Sequence, residues 1–119
     1  MSKRLRVLIV DGSDDDTQLL LRELAHGGYE LEFERVDDAE TMASSLSRRT
    51  WDIVLSEYAM PEFSGLAALS ILKHSGLDLP FILLTGTGGE SAAVEAMKAG
   101  AHDFVTKGNR HRLFNHGVV

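Results

Sequence analysis

Five short apolar runs, each followed by a segment of helical character, restrict this chain to a narrow set of folds. The first run is "LRVLIV" at 5–10; behind it "SDDDTQLLLRELAHGG" sets Leu20 and Leu24 one turn apart and stops at Gly27-Gly28. "LEFERV" alternates apolar and charged residues, as a strand with one wet face does. It is followed by "DAETMASSLSRR", with Met42 and Leu46 four apart. "DIVLS" leads into "SGLAALSILKHSG", where Leu66, Leu69 and Leu72 are spaced by three. "PFILLT" leads into "ESAAVEAMKAG", with Val94 and Met97 on one face and Gly100 just past the end. The last run, "DFVTK", precedes a short "NRHRLFNHG". Each connection is long enough to hold a crossover helix, so the strands are expected to be parallel and the architecture a doubly wound α/β sandwich.

A length of 119 residues suits one domain at 1–119 with a real core and no internal repeat or linker. Without cysteine there is no disulfide framework and no thiol nucleophile. The net charge of -6 disfavours a large nucleic-acid surface. No apolar run approaches the ~20 residues that cross a bilayer. A cytoplasmic protein with no direct contact to nucleic acid or membrane is the expectation. About ten residues follow Lys107, little more than two turns at ~3.6 residues each. Either a truncated fifth helix, or a domain cut from a longer chain, is therefore expected.

In open α/β sheets ligands bind outside the carboxyl ends of the strands. Strand one ends in Asp11, Gly12 and Ser13, strand three in Ser56 and Glu57, strand four in Thr85 and Gly86, and strand five at Lys107. Two acids, a hydroxyl and an ammonium on one rim make up a site for a hard cation and an oxyanion.

The blocks "RVLIVD", "DIVLSEYAMPEFSGL", "PFILLTGTGGE" and "AMKAGAHDFVTK" resemble, in order and spacing, the CheY-like receiver domains of two-component response regulators. The resemblance covers essentially the whole chain. It implies a flavodoxin-like five-stranded parallel sheet of order 2-1-3-4-5, and a signalling module rather than an enzyme. It also implies a magnesium-binding acidic pair after strand one, a phospho-accepting aspartate after strand three, a switch hydroxyl and aromatic, and a phosphate-binding lysine. On that pattern Asp11 is the first acid and metal ligand, Thr85 and Phe104 are the switch residues, and Lys107 is the lysine.

Two positions depart from it: Gly12 stands where the second acid belongs, and Glu57 where the aspartate belongs. Losing one ligand weakens a magnesium site, because that ion needs several well-placed oxygens. The extra methylene of Glu57 displaces the carboxylate by more than about an ångström, while in-line attack requires atoms about 3–3.5 Å apart and aligned. An atypical pseudo-receiver follows, with magnesium weak or absent and no other cofactor. It is expected to act by contact with a histidine kinase, an effector domain or a second copy, across the fourth helix, fifth strand and fifth helix. Glu57 either holds an active-like state by its fixed charge or merely pairs with Lys107.

Two other classes compete: a working phosphoacceptor, and a flavodoxin-type binder, which the acidic "DGSDDD" loop disfavours. Ser13-x-x-Asp16 reads as a capping box, with Asp14 or Asp15 as the substitute metal ligand should there be one. "TGTGGES" lacks the lysine of a P-loop. The five histidines read as surface residues, and "NRHRL" as a small basic helix face.

Overall fold

The computed structural model describes residues 3–58, 60, 63–86 and 90–106. The elements are β1 (Lys3–Val10), α1 (Asp14–His26), β2 (Tyr29–Val36), α2 (Ala39–Arg48), β3 (Ile53–Glu57), α3 (Gly65–Ser75), β4 (Phe81–Thr85), α4 (Glu90–Lys98) and β5 (Asp103–Thr106). The five strands form one parallel sheet in the order β2-β1-β3-β4-β5. This is the flavodoxin-like order that the resemblance implied. The fifth helix and Lys107 lie outside the described residues.

The central strands carry unbroken apolar runs because both faces of the sheet are covered. On one face Leu20 and Leu24 of α1 pack with Val7, Ile9, Leu55 and Leu84. On the other, Met42 and Leu46 of α2 and Leu69 and Leu72 of α3 pack with Leu8, Val54 and Leu83. Burying each such side chain contributes about 1.5–3 kcal/mol before entropy is counted. Helix starts are set by local chemistry: Ser13, Asp38 and Ser64 each accept a backbone N–H three residues on. Gly76 closes α3 at φ 79, a conformation that a side chain would strain.

Two expectations about packing change. Val94 and Met97 do share a face of α4, but they are 54% and 43% exposed, whereas Ala96 of that helix is buried. A small residue lets α4 lie close to the sheet while its larger apolar side chains face outward. β2 is wetter than a strand with one solvated face. Among the described residues it is an edge strand paired only with β1, and Phe33 on its α1 side is 43% exposed. On its other side Glu32 and Glu34 meet Arg48 and Arg49 from the end of α2. Half-exposed ion pairs therefore stand where a core would otherwise continue.

Candidate functional site

The carboxyl ends of β1 and β3, together with the first turn of α1, bring three acids into one group. Asp11 follows β1 directly and is 3% exposed. Its N–H donates to the Val36 carbonyl at 3.0 Å, its carbonyl accepts from Arg35 Nη1 at 3.1 Å, and its Oδ1 accepts from the Ser13 N–H at 2.8 Å. The turn into α1 is thus built on the Asp11 side chain. Glu57 is the last residue of β3, 6% exposed, in register with Leu84 of β4.

Asp16 completes the group: one carboxylate oxygen from each of Asp11, Asp16 and Glu57 lies within 4.8 Å of the others. Asp14 and Asp15 are exposed and are not among these donors. Sequence reasoning assigned Asp16 to a capping box, and half of that box is present: Ser13 Oγ accepts the Asp16 N–H at 3.2 Å. The reciprocal half is made differently, because Asp11 takes the Ser13 N–H. Nothing in the chain's spacing distinguishes a cap that uses both arms from one that sends its acid elsewhere.

Gly12 is exposed, and a Cβ built there meets nothing within 4 Å. The missing acid therefore leaves open space, not a refilled one. Close approach is required at Gly65 instead. A Cβ there would stand 2.6 Å from Leu83 Cδ1 and 2.7 Å from the Glu57 carbonyl oxygen. The N–H of Gly65 donates to the Tyr58 carbonyl at 3.0 Å and that of Tyr58 to Leu84 at 2.9 Å, which fastens the residue after Glu57 to both β4 and α3.

Thr85 ends β4 and is 1% exposed; among the described residues its Oγ1 has no hydrogen-bond partner. Phe104 on β5 is half-buried against the cluster beneath α3 and pairs in register with Leu83. A cavity of about 610 Å³ lies elsewhere, between α2 and α3. It is lined by residues such as Leu46, Ile71 and Leu77 and holds none of the three acids.

Carboxylate oxygens are the donors that a hard divalent cation takes. Opposite ligands stand about 4.2 Å apart around magnesium and about 4.6–5.2 Å apart around calcium, so the observed spacing fits this class of ion. The Thr85 hydroxyl, without a hydrogen-bond partner among the described residues, adds a polar atom at the end of the adjacent strand. Bound there, a divalent cation offsets the acids' negative charge and offers positive charge to phosphate oxygens.

A parallel sheet of order 2-1-3-4-5 with acids at its carboxyl edge defines a class of small α/β domain that handles ions or phosphate at that edge. A sequence model of the family "Response regulator receiver domain" matches residues 7–116, and the chain belongs to that family, the receiver domains of two-component signalling. It is 34% identical over 102 residues to the C4-dicarboxylate transport transcriptional regulatory protein DctD of Pseudomonas aeruginosa, a match covering 86% of this chain and 22% of that protein. The chain thus spans about a fifth of that relative's length. Full-length FixJ from B. japonicum superposes with a TM-score of 0.83 at 27% identity, over 99% of this chain and 58% of that one. The receiver domain of Francisella response regulator 1452 shares the fold alone, with a TM-score of 0.79 at 20% identity over 96% and 94% of the two chains. Among the described residues no helix is long and apolar enough to cross a membrane.

Proposed function

We propose that this receiver domain signals by protein contact without being phosphorylated, as a pseudo-receiver in the cytoplasm. The observation that carries this reading is Glu57. Its carboxylate is buried at the tip of β3 and grouped with two other acids, at the position where the family pattern has its phospho-accepting aspartate. On this reading its carboxylate carries a standing negative charge, one methylene further out than in-line transfer requires. A permanent carboxylate has less charge than a phosphoryl group and lacks its three acceptor oxygens. The fixed charge therefore supplies a standing bias and not a full imitation of phosphorylation.

Thr85 and Phe104 lie on the neighbouring strands β4 and β5 and are the residues through which that bias reaches the surface. Val94 and Met97, exposed on α4 beside β5, supply apolar contact area for a partner. A histidine kinase or an effector domain is the partner class, since DctD is by name a transcriptional regulatory protein; a second copy of the chain is the other occupant. The role is signalling, not catalysis.

The test is incubation with a small-molecule phosphodonor and magnesium, followed by intact mass measurement. The parent is expected to gain no phosphoryl group. The double reversion Gly12→Asp with Glu57→Asp is expected to gain one, since position 12 has open space for a side chain. A parent that gains the same mass as the double variant would show a working phosphoacceptor and overturn the proposal.

A further inference from the structure

We propose that Asp16 is a metal-ligating residue: with Asp11 and Glu57 it holds a hard divalent cation, in place of the acid that Gly12 lacks. The inference concerns the same pocket as the proposed function but is separable from it, because it needs no phosphoryl transfer.

Placement argues first. The receiver pattern draws its second acid from position 12, next in sequence to Asp11. Here that position carries no side chain, and the third carboxylate comes from one turn into α1. The local hydrogen bonding makes this possible. Because Asp11 Oδ1 takes the Ser13 N–H, the start of α1 is organised by Asp11 and Ser13, and the Asp16 carboxylate reaches the acids at the tips of β1 and β3.

Charge argues second. Three carboxylates whose donor atoms lie within 4.8 Å of one another, two of them buried, present like charges at close range. A dication placed among them is attracted by all three. Asp14 and Asp15 carry the same charge in the same helical turn, but they are exposed and contribute only a screened, long-range field. The buried Thr85 hydroxyl, without a partner among the described residues, is a polar group at the same edge of the sheet, suited to a water on the cation or an oxyanion beside it.

The experiment is a Mn²⁺ titration of the protein with no phosphodonor present, following the free-ion signal by electron paramagnetic resonance, with Mg²⁺ as competitor. The parent is expected to bind one Mn²⁺ that Mg²⁺ displaces. Asp16→Asn is expected to weaken binding at least about tenfold, because affinity at such sites follows the count of ligand charges. Asp15→Asn is expected to change it less than about twofold, as suits a screened exposed charge. Gly12→Asp placed on Asp16→Asn is expected to restore binding. A measurement on the parent alone guards against a variant that fails to fold: in an amide NMR spectrum, sub-stoichiometric Mn²⁺ should broaden Asp11, Asp16 and Glu57 first. No binding by the parent, equal affinities of parent and Asp16→Asn, equal losses from Asp15→Asn and Asp16→Asn, no restoration by Gly12→Asp, or broadening centred elsewhere would each overturn the assignment. A phosphorylated parent would overturn the proposed function and leave this one standing.

Discussion

The Asp38 carboxylate caps α2, and its charge is part of the cap. Its Oδ1 accepts the Thr41 hydroxyl at 2.6 Å and the Thr41 N–H at 2.8 Å. Those two bonds, the side-chain one first, hold its pKa below the ordinary 3.8. A carboxylate whose pKa is depressed on folding stabilises the folded state above its unfolded pKa, and the contribution is lost as pH falls through the lowered folded value. Asp38→Ala should therefore lower the urea midpoint clearly at pH ~7 and much less at pH ~2. Asp38→Asn, which retains a capping oxygen but not the charge, should fall between the parent and Asp38→Ala at pH ~7 and lose little at pH ~2. Equal losses for Asp38→Ala at both pH values would mean that the charge is not what stabilises the cap. Single residues also show where sequence reasoning stops. Asp11, Glu57 and Thr85 were legible because strand tips are where such folds place chemistry. Asp16 was not, because Ser-x-x-Asp has an ordinary explanation that uses up the acid, and only the hydrogen bond from Ser13 to Asp11 shows that the box is made by another carboxylate.

At the scale of elements, the strands and helices were legible from period and punctuation, since caps and stop glycines stand where the chain turns. Burial was legible only in part. A spacing of three identified Val94 and Met97 as sharing a face, but spacing cannot say which face meets the sheet. In α4 the small Ala96 takes that place, so the larger apolar pair looks outward. The contact between α3 and the tip of β3 was also hidden, because it depends on the absence of a side chain. Gly65 admits the helix start to within van der Waals reach of the Glu57 carbonyl and Leu83. Gly65→Ala should force these apart and cost about 1–3 kcal/mol, the range for overpacking a dense site. Urea denaturation measures that loss, and NMR shifts at Glu57 and Tyr58 should accompany it. A variant as stable as the parent, with those shifts unchanged, would show that the α3 start yields without moving the site.

Across the whole molecule, one sheet separates two apolar clusters, and the site sits where both end. Trp51 belongs to the cluster beneath α2 and α3, where its indole N–H donates to the Ser45 carbonyl at 3.0 Å. Leu24 of α1 belongs to the cluster on the opposite face. The two share no side-chain layer, but they share the sheet: Val54 faces one cluster and Ile53 and Leu55 face the other along the same strand. If the sheet couples its faces, removing packing on one side must lower the stability reported from the other. Leu24→Ala should cost about 2–5 kcal/mol, the usual range for emptying a buried leucine site. Because Trp51 is the only tryptophan, its fluorescence reports the far face alone, while far-ultraviolet circular dichroism reports helices on both. The two urea transitions of Leu24→Ala should coincide and shift together from those of the parent, as a single cooperative unit requires. A circular-dichroism transition that moves while the Trp51 transition stays in place would mean that α1 leaves the sheet by itself. The carboxylate group would then be the first part of the molecule to come apart, since Asp16 travels with α1 and Glu57 stays with β3.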